Sequence, residues 1–301
     1  MNIRDLQYLV ALSEEGNFGR ASERCFVSQP TLSMQVKKLE EELGVELFER
    51  GKRFVRATTA GDSIVDYAKQ VLQLVEDMKL SSQAFLDPFA GTLKLGIFPT
   101  LAPYILPHLV KTFKRQLPAL SMQLYEQVTE ECIQGVLSGD LDAVLLATDL
   151  DDPRLCCCDL FVETFYLVCD KKHTLNQYDK VTASRLPEDE LLLLQEGHCL
   201  REQGLEYCQR IGKRHNTAFA ATSLLTVLSM VALGEVITLI PALSVDATRS
   251  LGVSVKPFSA NAPARKIQLY WRKSVNREPL FLKIVELIQG ALEGRKGVKI
   301  L

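Results

Sequence analysis

The chain has 301 residues, of which 47% are hydrophobic, and 35 Lys+Arg against 37 Asp+Glu leave a net charge of −2. That balance excludes a disordered or fibrous protein, a basic nucleic-acid coat and a single mini-domain. Eight cysteines are too dilute for a disulfide scaffold, and from the start MNIRDLQYLV no signal peptide and a cytoplasmic, reducing location are expected, in which any disulfide is transient or sensing.

Residues 1–57 have the texture of a compact helical domain, with Leu6, Leu9 and Val10 and then Ala21 and Cys25 at helical spacing. A helix is predicted to end near Cys25, and Phe26-Val27 make a tight connection. Ser28 is a good N-cap, and Pro30 falls in the first helical turn, where its missing N–H costs nothing. A second helix therefore starts at Gln29, with Leu32, Val36, Leu39 and Leu43 facing inward. Gln29, Pro30, Thr31, Ser33, Met34 and Lys37 then point outward, small or polar enough to reach base edges in a major groove. Arg50, Lys52, Arg53 and Arg56 form a basic loop in the position of a phosphate-gripping wing. Residues 1–58 hold nine Lys/Arg and nine Asp/Glu, so attraction to DNA depends on placement. Spacing alone also leaves open a helical hairpin with a solvated basic loop.

From Thr58 to about Phe85 runs one long amphipathic pattern, ended by Asp87-Pro88. Ile64, Ala68, Val71, Val75 and Met78 are spaced 4, 3, 4, 3, the seam of a self-associating helix. After Gly91 strands and helices alternate: TLKLGI, a helix through Ile105–Phe113, SMQLYEQ, a helix at Cys132–Leu137 and LDAVLLA. LLLLQ, a helix from about Leu200 to Ile211, TAFAAT, a 223–233 helix and VITLIP repeat the pattern. This predicts two α/β halves and a mostly parallel sheet, connected by strands near 155–170 and 253–272 and closed by a helix from Leu280 to Leu292. The uncharged stretch 218–234 reads as strand, buried helix, strand, because a membrane span needs ~20 predominantly apolar residues.

Cys25 and Cys132 fall on inner helix faces, and Cys156, Cys157, Cys158 and Cys169 in strand-like segments. Cys199 and Cys208 stand apart. Cys199 follows Gly197 near a helix start, with His198 before it and Arg201 after; helix dipole, imidazole and guanidinium each favour a thiolate. An oxidised thiol condenses with a second one in reach, and Cys208 is the candidate. On one helix the two are ~13 Å apart, whereas a disulfide needs Cα atoms within about 7 Å, so bridging requires unfolding of the segment. Leu205, Cys208 and Ile211 mark a packed face, and Gly204 weakens the helix between the thiols. Spacing equally allows Cys199 as a loop thiol and Cys208 as core filling. With no Gly-rich phosphate loop, HExxH or CxxC, and four unpaired His, no metal or cofactor site is expected, and the long 18–50 motif speaks against the enzyme alternative, a thiol peroxidase with Cys199 as nucleophile.

The run ASERCFVSQPTLSMQVKKLEEELGVELFER, followed by ATTAG and a long helix, resembles the N-terminal domain of LysR-type transcriptional regulators. The α/β remainder resembles their two-lobed effector-binding domain, so the resemblance covers essentially the whole chain; Gly51, Phe54 and Ala57 in the wing depart from it. It implies an α-helical winged helix-turn-helix at 1–58 and a dimerisation linker helix at 59–88. The rest, 91–301, is implied to be an α/β two-lobed periplasmic-binding-protein-like regulatory domain, lobe I being 91–161 and 266–301 and lobe II 162–265. The implied partners are double-stranded promoter DNA with an interrupted palindrome, RNA polymerase, and further copies in a homodimer or homotetramer, with no membrane.

GHCLREQ with Cys208 after it, MNIRDLQYLVAL, and FPTLAPYILP around Thr100 resemble the hydrogen-peroxide-sensing branch of that family. This implies that Cys199 reacts with peroxide and Cys208 resolves it, that Thr100 and Thr129 hold the peroxide with His198 and Arg201 around it, and that oxidative-stress genes are the output. A thiol reductant of glutaredoxin or thioredoxin type would reset the switch. Glu202 stands where an Asp is expected and lengthens that arm. The other reading is a LysR-type regulator answering a small metabolite between the lobes, near Pro99 and Thr100.

Overall fold

Polar caps start the first three helices of the computed structural model, which describes residues 1–51, 54–84, 87–187, 190–195, 199–210, 212 and 216–301. Asn2 and Asp5 form a capping box on α1 (Ile3–Glu15), and Asn17 caps α2 (Phe18–Arg24). Ser28 accepts the Thr31 N–H at 3.3 Å to open α3 (Gln29–Leu43), with Pro30 in its first turn. Gly44, at φ 72, ends it in the left-handed conformation that costs glycine least. The α2–α3 connection turns at Phe26, φ 56, whose ring is 95% exposed. A two-stranded antiparallel hairpin follows, β1 (Phe48–Arg50) on β2 (Val55–Ala57).

Next comes α4 (Thr59–Ala84). Its Val65 and Ala68 pack into the core formed by Leu9 and Leu12 of α1 and Leu32, Val36 and Leu39 of α3. Gly61 sits so close to the chain before it that a Cβ would collide with the Leu47 carbonyl oxygen. Gly61→Ala is therefore expected to cost this unit about 1–3 kcal/mol, read as an earlier helical transition by circular dichroism in urea. Met1–Ser82 form this unit and Gln83–Leu301 the second.

The second unit contains β3 (Gly91–Ile97), α5 (Ala102–Gln116), β4 (Leu120–Glu126), α6 (Thr129–Ser138), β5 (Ala143–Leu146) and the long β6 (Leu155–Asp170). Then follow β7 (Leu192–Leu194), α7 (Cys199–Arg210), β8 (Asn216–Ala221), α8 (Leu224–Ala232), β9 (Thr238–Pro241) and a 3-10 segment, Ala242–Leu251. β10 (Val253–Lys256), β11 (Ala264–Arg272), α9 (Glu278–Leu292) and β12 (Val298–Ile300) complete it.

The main sheet runs β10-β6-β11-β5-β3-β4. It corrects the expectation of a mostly parallel sheet. β3 lies parallel to β4 and β5, as helical crossovers require, but β11 pairs antiparallel with β5 and β6, and β9, β10 and β12 pair antiparallel with β6. The cause is β6, one strand long enough to pass from one hydrophobic core to the next. Its Leu160 and Phe161 belong to the core under α5 and α9, where Trp271 stacks on Phe281 at 5.1 Å. Its Phe165, Leu167 and Cys169 belong to a second core with β7, α7 and α8. The uncharged 218–234 stretch folds as the end of β8 and the nine-residue α8, and no helix among the described residues is long and apolar enough to cross a membrane.

Candidate functional site

α7 begins where the two cores meet. Cys199, its first residue, is 3% exposed and packs into the first core; Leu200, Tyr207 and Cys208 pack into the second. Thr100, before α5, and Thr129, first in α6, both act on the Cys199 thiol in the direction of its charged form. Thr100 is buried and held from behind: Arg265 donates from Nη1 to its Oγ1 and from Nη2 to its carbonyl, both at 2.9 Å. Arg265 in turn pairs with Glu163, Nε to Oε1 at 2.8 Å and Nη2 to Oε1 at 2.7 Å, with both side chains fully buried. Gln203, one turn along α7 from Cys199, donates to the Ala147 carbonyl at 3.1 Å. The buried Oγ1 of Thr129, Oε1 of Gln127 and Oε1 of Gln203 have no hydrogen-bond partner among the described residues. Acceptors left open in a buried site suit a small O–H donor.

The electrostatics correct one expectation. Burial pushes the Cys199 thiol up from its ordinary value, as a low-dielectric site disfavours charge. Against it act Arg265 and the two threonine hydroxyls, while Glu202 pushes the same way as burial. The cation acting on the thiol is thus Arg265 from a distant strand. Arg201 instead donates to the Leu194 carbonyl at 3.0 Å, and His198 lies outside the described residues. Cys132, one turn along α6 from Thr129, is pushed up to about 12, by burial first and then by Glu131 and Cys199. A thiol raised on folding contributes stability that is complete below its unfolded value near 8.5 and is lost as pH rises through about 12. Cys132→Ala should therefore flatten the alkaline fall in stability by about 1.4 kcal/mol per pH unit, measured by urea denaturation from pH 8 upward.

All eight cysteines are free thiols. Cys208 is buried on α7, on the packed face that also carries Leu205, while Ile211 lies outside the described residues. α7 is continuous from Cys199 to Cys208, so their Cα atoms stand ~13 Å apart at 1.5 Å per residue. Gly204, expected to weaken the helix, also lets it approach: a Cβ there would meet Leu193 Cδ2 at 2.8 Å. Cys156 and Cys158 pack partly on the first core and Cys157 is exposed on the other face of β6. Cys25 caps α2. Among the described residues no group of three or more His, Cys, Asp or Glu is placed to hold a metal ion.

In the N-terminal unit, Leu32, Val36 and Leu39 are buried, Gln29, Pro30, Met34 and Lys37 exposed, and Thr31 and Ser33 half-buried at the start of α3. Arg50 lies at the end of β1; Arg56, on β2, stacks 5.1 Å from the Phe54 ring. Lys52 and Arg53 lie outside the described residues. The stripe read on α4 needs correcting. Ala68 is 2% exposed and Ile64 packs partly against α1–α3, so both are spent inside the unit. The outward apolar residues are instead Tyr67, Val71, Leu74 and Met78, the last 72% exposed and the set spaced 4, 3, 4. Val71 and Met78 remain from the sequence reading, and Val75 is half-buried.

Arg265, Glu163 and Gln203 were absent from that reading. The local signal for Glu163 and Arg265 is charge inside apolar strands, as in FVETF and ARKIQLYW; the meeting of these two depends on strand register, and Gln203 on α7 carries no such signal.

Residues 3–62 match the family model for the bacterial regulatory helix-turn-helix protein, lysR family, and residues 87–293 match the LysR substrate binding domain. The DNA-binding transcriptional dual regulator OxyR of Escherichia coli K12 is 40% identical over 295 residues, 98% of this chain and 97% of its own. A full-length OxyR variant from Pseudomonas aeruginosa has a TM-score of 0.76 at 36% identity, covering 96% of this chain and 98% of its own. A Corynebacterium glutamicum OxyR mutant with H2O2 bound has a TM-score of 0.67 at 30% identity, with 97% and 92% covered.

Proposed function

The chain belongs to the LysR family of transcriptional regulators, within its OxyR group, and we propose that it binds promoter DNA and is switched by hydrogen peroxide through Cys199 and Cys208. The observation that carries this reading is the burial of Cys199 at the start of the helix that also bears Cys208, where Arg265, Thr129 and Thr100 act on its thiol. In this reading the Cys199 thiolate attacks one peroxide oxygen, the O–O bond breaks, and the departing hydroxide takes up a proton to leave as water. The resulting sulfenic acid is attacked by the Cys208 thiolate, which displaces the sulfenic hydroxyl and closes the disulfide. Since the thiols start on opposite cores, closing the bond requires α7 to unwind and Cys208 to leave its packing. That makes α7 the two-state element. A dithiol reductant of glutaredoxin or thioredoxin type returns both sulfurs to thiols.

The N-terminal unit is read as a winged helix-turn-helix, with α3 entering the major groove through Ser28, Gln29, Pro30, Thr31, Ser33, Met34 and Lys37. The β1–β2 hairpin, with Arg50, Lys52 and Arg53, is the wing on the phosphates. The division stays 1–58, 59–88 and 91–301, with lobe I at 91–161 and 266–301 and lobe II at 162–265; the two cores that share β6 support that split. The chain acts in the cytoplasm as a homodimer or homotetramer that engages RNA polymerase, and not as an enzyme.

Footprinting of reduced and peroxide-treated protein over its own promoter region tests the whole reading. A footprint that changes extent with oxidation and reverts with dithiol is expected. Binding that is blind to redox state, or a linked cysteine pair other than Cys199–Cys208 by mass spectrometry, would overturn it.

A further inference from the structure

We propose that Glu163 is the positioning residue that tunes Cys199: it clamps Arg265 so that the guanidinium reaches Thr100, and its carboxylate tempers the positive charge met by the thiol. The inference rests on the reading of Cys199 as the reactive thiol and goes beyond it.

Glu163 and Arg265 are direct cross-strand partners on β6 and β11, the two strands that join the cores. One carboxylate oxygen takes Arg265 Nε at 2.8 Å and Nη2 at 2.7 Å, and the other takes the Leu243 N–H at 3.2 Å. The carboxylate is thus held from two sides, and the guanidinium cannot swing away without breaking both of its bonds to Oε1. The rings of Phe98 and Phe165 stand 5.0 and 5.8 Å from the guanidinium carbon, closing a dry box around the cation.

The remaining Arg265 donors dictate the protons of the site. Thr100 Oγ1 accepts from Nη1 at 2.9 Å, so its own O–H is turned away from Arg265 and is free for the Cys199 thiol, on which Thr100 acts in the direction of the thiolate. A hydroxyl that donates to sulfur favours the thiolate over the thiol. Glu163 therefore acts through Arg265 and Thr100, without touching the thiol.

Stability gives little reason for such a pair, because a buried ion pair can often be replaced by apolar residues with no loss. The chemistry gives a better one. An uncompensated guanidinium would offset more of the burial and raise the share of Cys199 present as thiolate, open to any oxidant. With Glu163 beside it the thiol meets only part of that charge. The other titratable groups around this assembly are Glu202 on α7, Cys132 on α6, and Tyr104 on α5 and Glu126 on β4 near Arg265. None is altered by changing Glu163, and His198 stays constant in the comparison.

The test is the pH profile of Cys199 alkylation by iodoacetamide in the full-length reduced protein, read on the Cys199 peptide by mass spectrometry because exposed Cys157 also reacts. Glu163→Gln keeps an acceptor for Arg265 and removes the charge. It should move the midpoint down by about half a unit or more, which is about threefold faster alkylation below the midpoint. Glu163→Asp should bring the midpoint back toward wild type. Should Glu163→Gln fail to fold, the neutral double variant Glu163→Gln with Arg265→Gln carries the test, and its midpoint should rise above wild type. An unmoved or raised midpoint in Glu163→Gln, or a wild-type midpoint in the double variant, overturns the proposal. The readout is alkylation, so a failed peroxide response would overturn the sensing role of Cys199 and leave this result standing.

Discussion

Cys199→Ser protein is expected to give one unchanging DNA footprint at every peroxide concentration, with complete loss of the Cys199–Cys208 peptide. Serine fits the site: it is nearly the size of cysteine, and its hydroxyl is as small and neutral as the buried thiol it replaces. What it lacks is the reactive form, since the thiolate is the nucleophile toward peroxide and an aliphatic hydroxyl does not ionise near neutral pH. The variant thus separates fold from chemistry, and its reduced-state footprint should match wild type. Cys208→Ser is the counterpart: it should still consume one equivalent of peroxide, stop at the sulfenic acid and proceed to sulfinic acid under excess oxidant. Continued induction in Cys199→Ser cells would favour a metabolite between the lobes over peroxide as the signal.

Leu74→Glu with Met78→Glu is expected to give monomers by analytical ultracentrifugation and to weaken promoter binding by about 10²- to 10⁴-fold. Tyr67, Val71, Leu74 and Met78 form an exposed apolar stripe at heptad spacing on α4, where a second copy of the helix buries it best. Two glutamates per chain would place like charges in that seam without touching Val65 or Ala68, which hold α4 to its own domain. The folding of the N-terminal unit should therefore survive. Because one helix-turn-helix holds one half-site, losing the second arm forfeits the effective concentration that joins them. Dimers of undiminished affinity would show that the stripe serves another partner. Ile64→Glu is a useful contrast, because this half-packed residue should reduce the stability of the unit itself.

Much of the fold was legible because it is written in local chemistry. Asn2, Asn17 and Ser28 cap the first helices through side-chain oxygens within three residues of their targets, and Leu32, Val36 and Leu39 recur at the pitch of a helix. The strand Ala143–Leu146 is a continuous apolar run, buried as a covered sheet demands, and Leu93–Ile97 is one broken only by Lys94. Cys199 stood out through the residues beside it, and it does begin a helix.

What neighbours in sequence could not reveal were relations set by register and by rotation about a helix axis. The apolar pattern of α4 holds two overlapping stripes. Only the packing of Val65 and Ala68 onto α1–α3 decides which one stays outside. Likewise Arg201, two residues from Cys199, turns to a strand carbonyl, while Arg265, 66 positions away in sequence and paired with Glu163 across β11 and β6, is the cation that acts on the thiol against burial. The nearby residues suggested an acidic thiol, and burial at the meeting of two cores reverses that direction. Caps and periodicity act over a few residues and can be read there. Desolvation and charge pairing depend on distance in space, and folding alone brings those groups together.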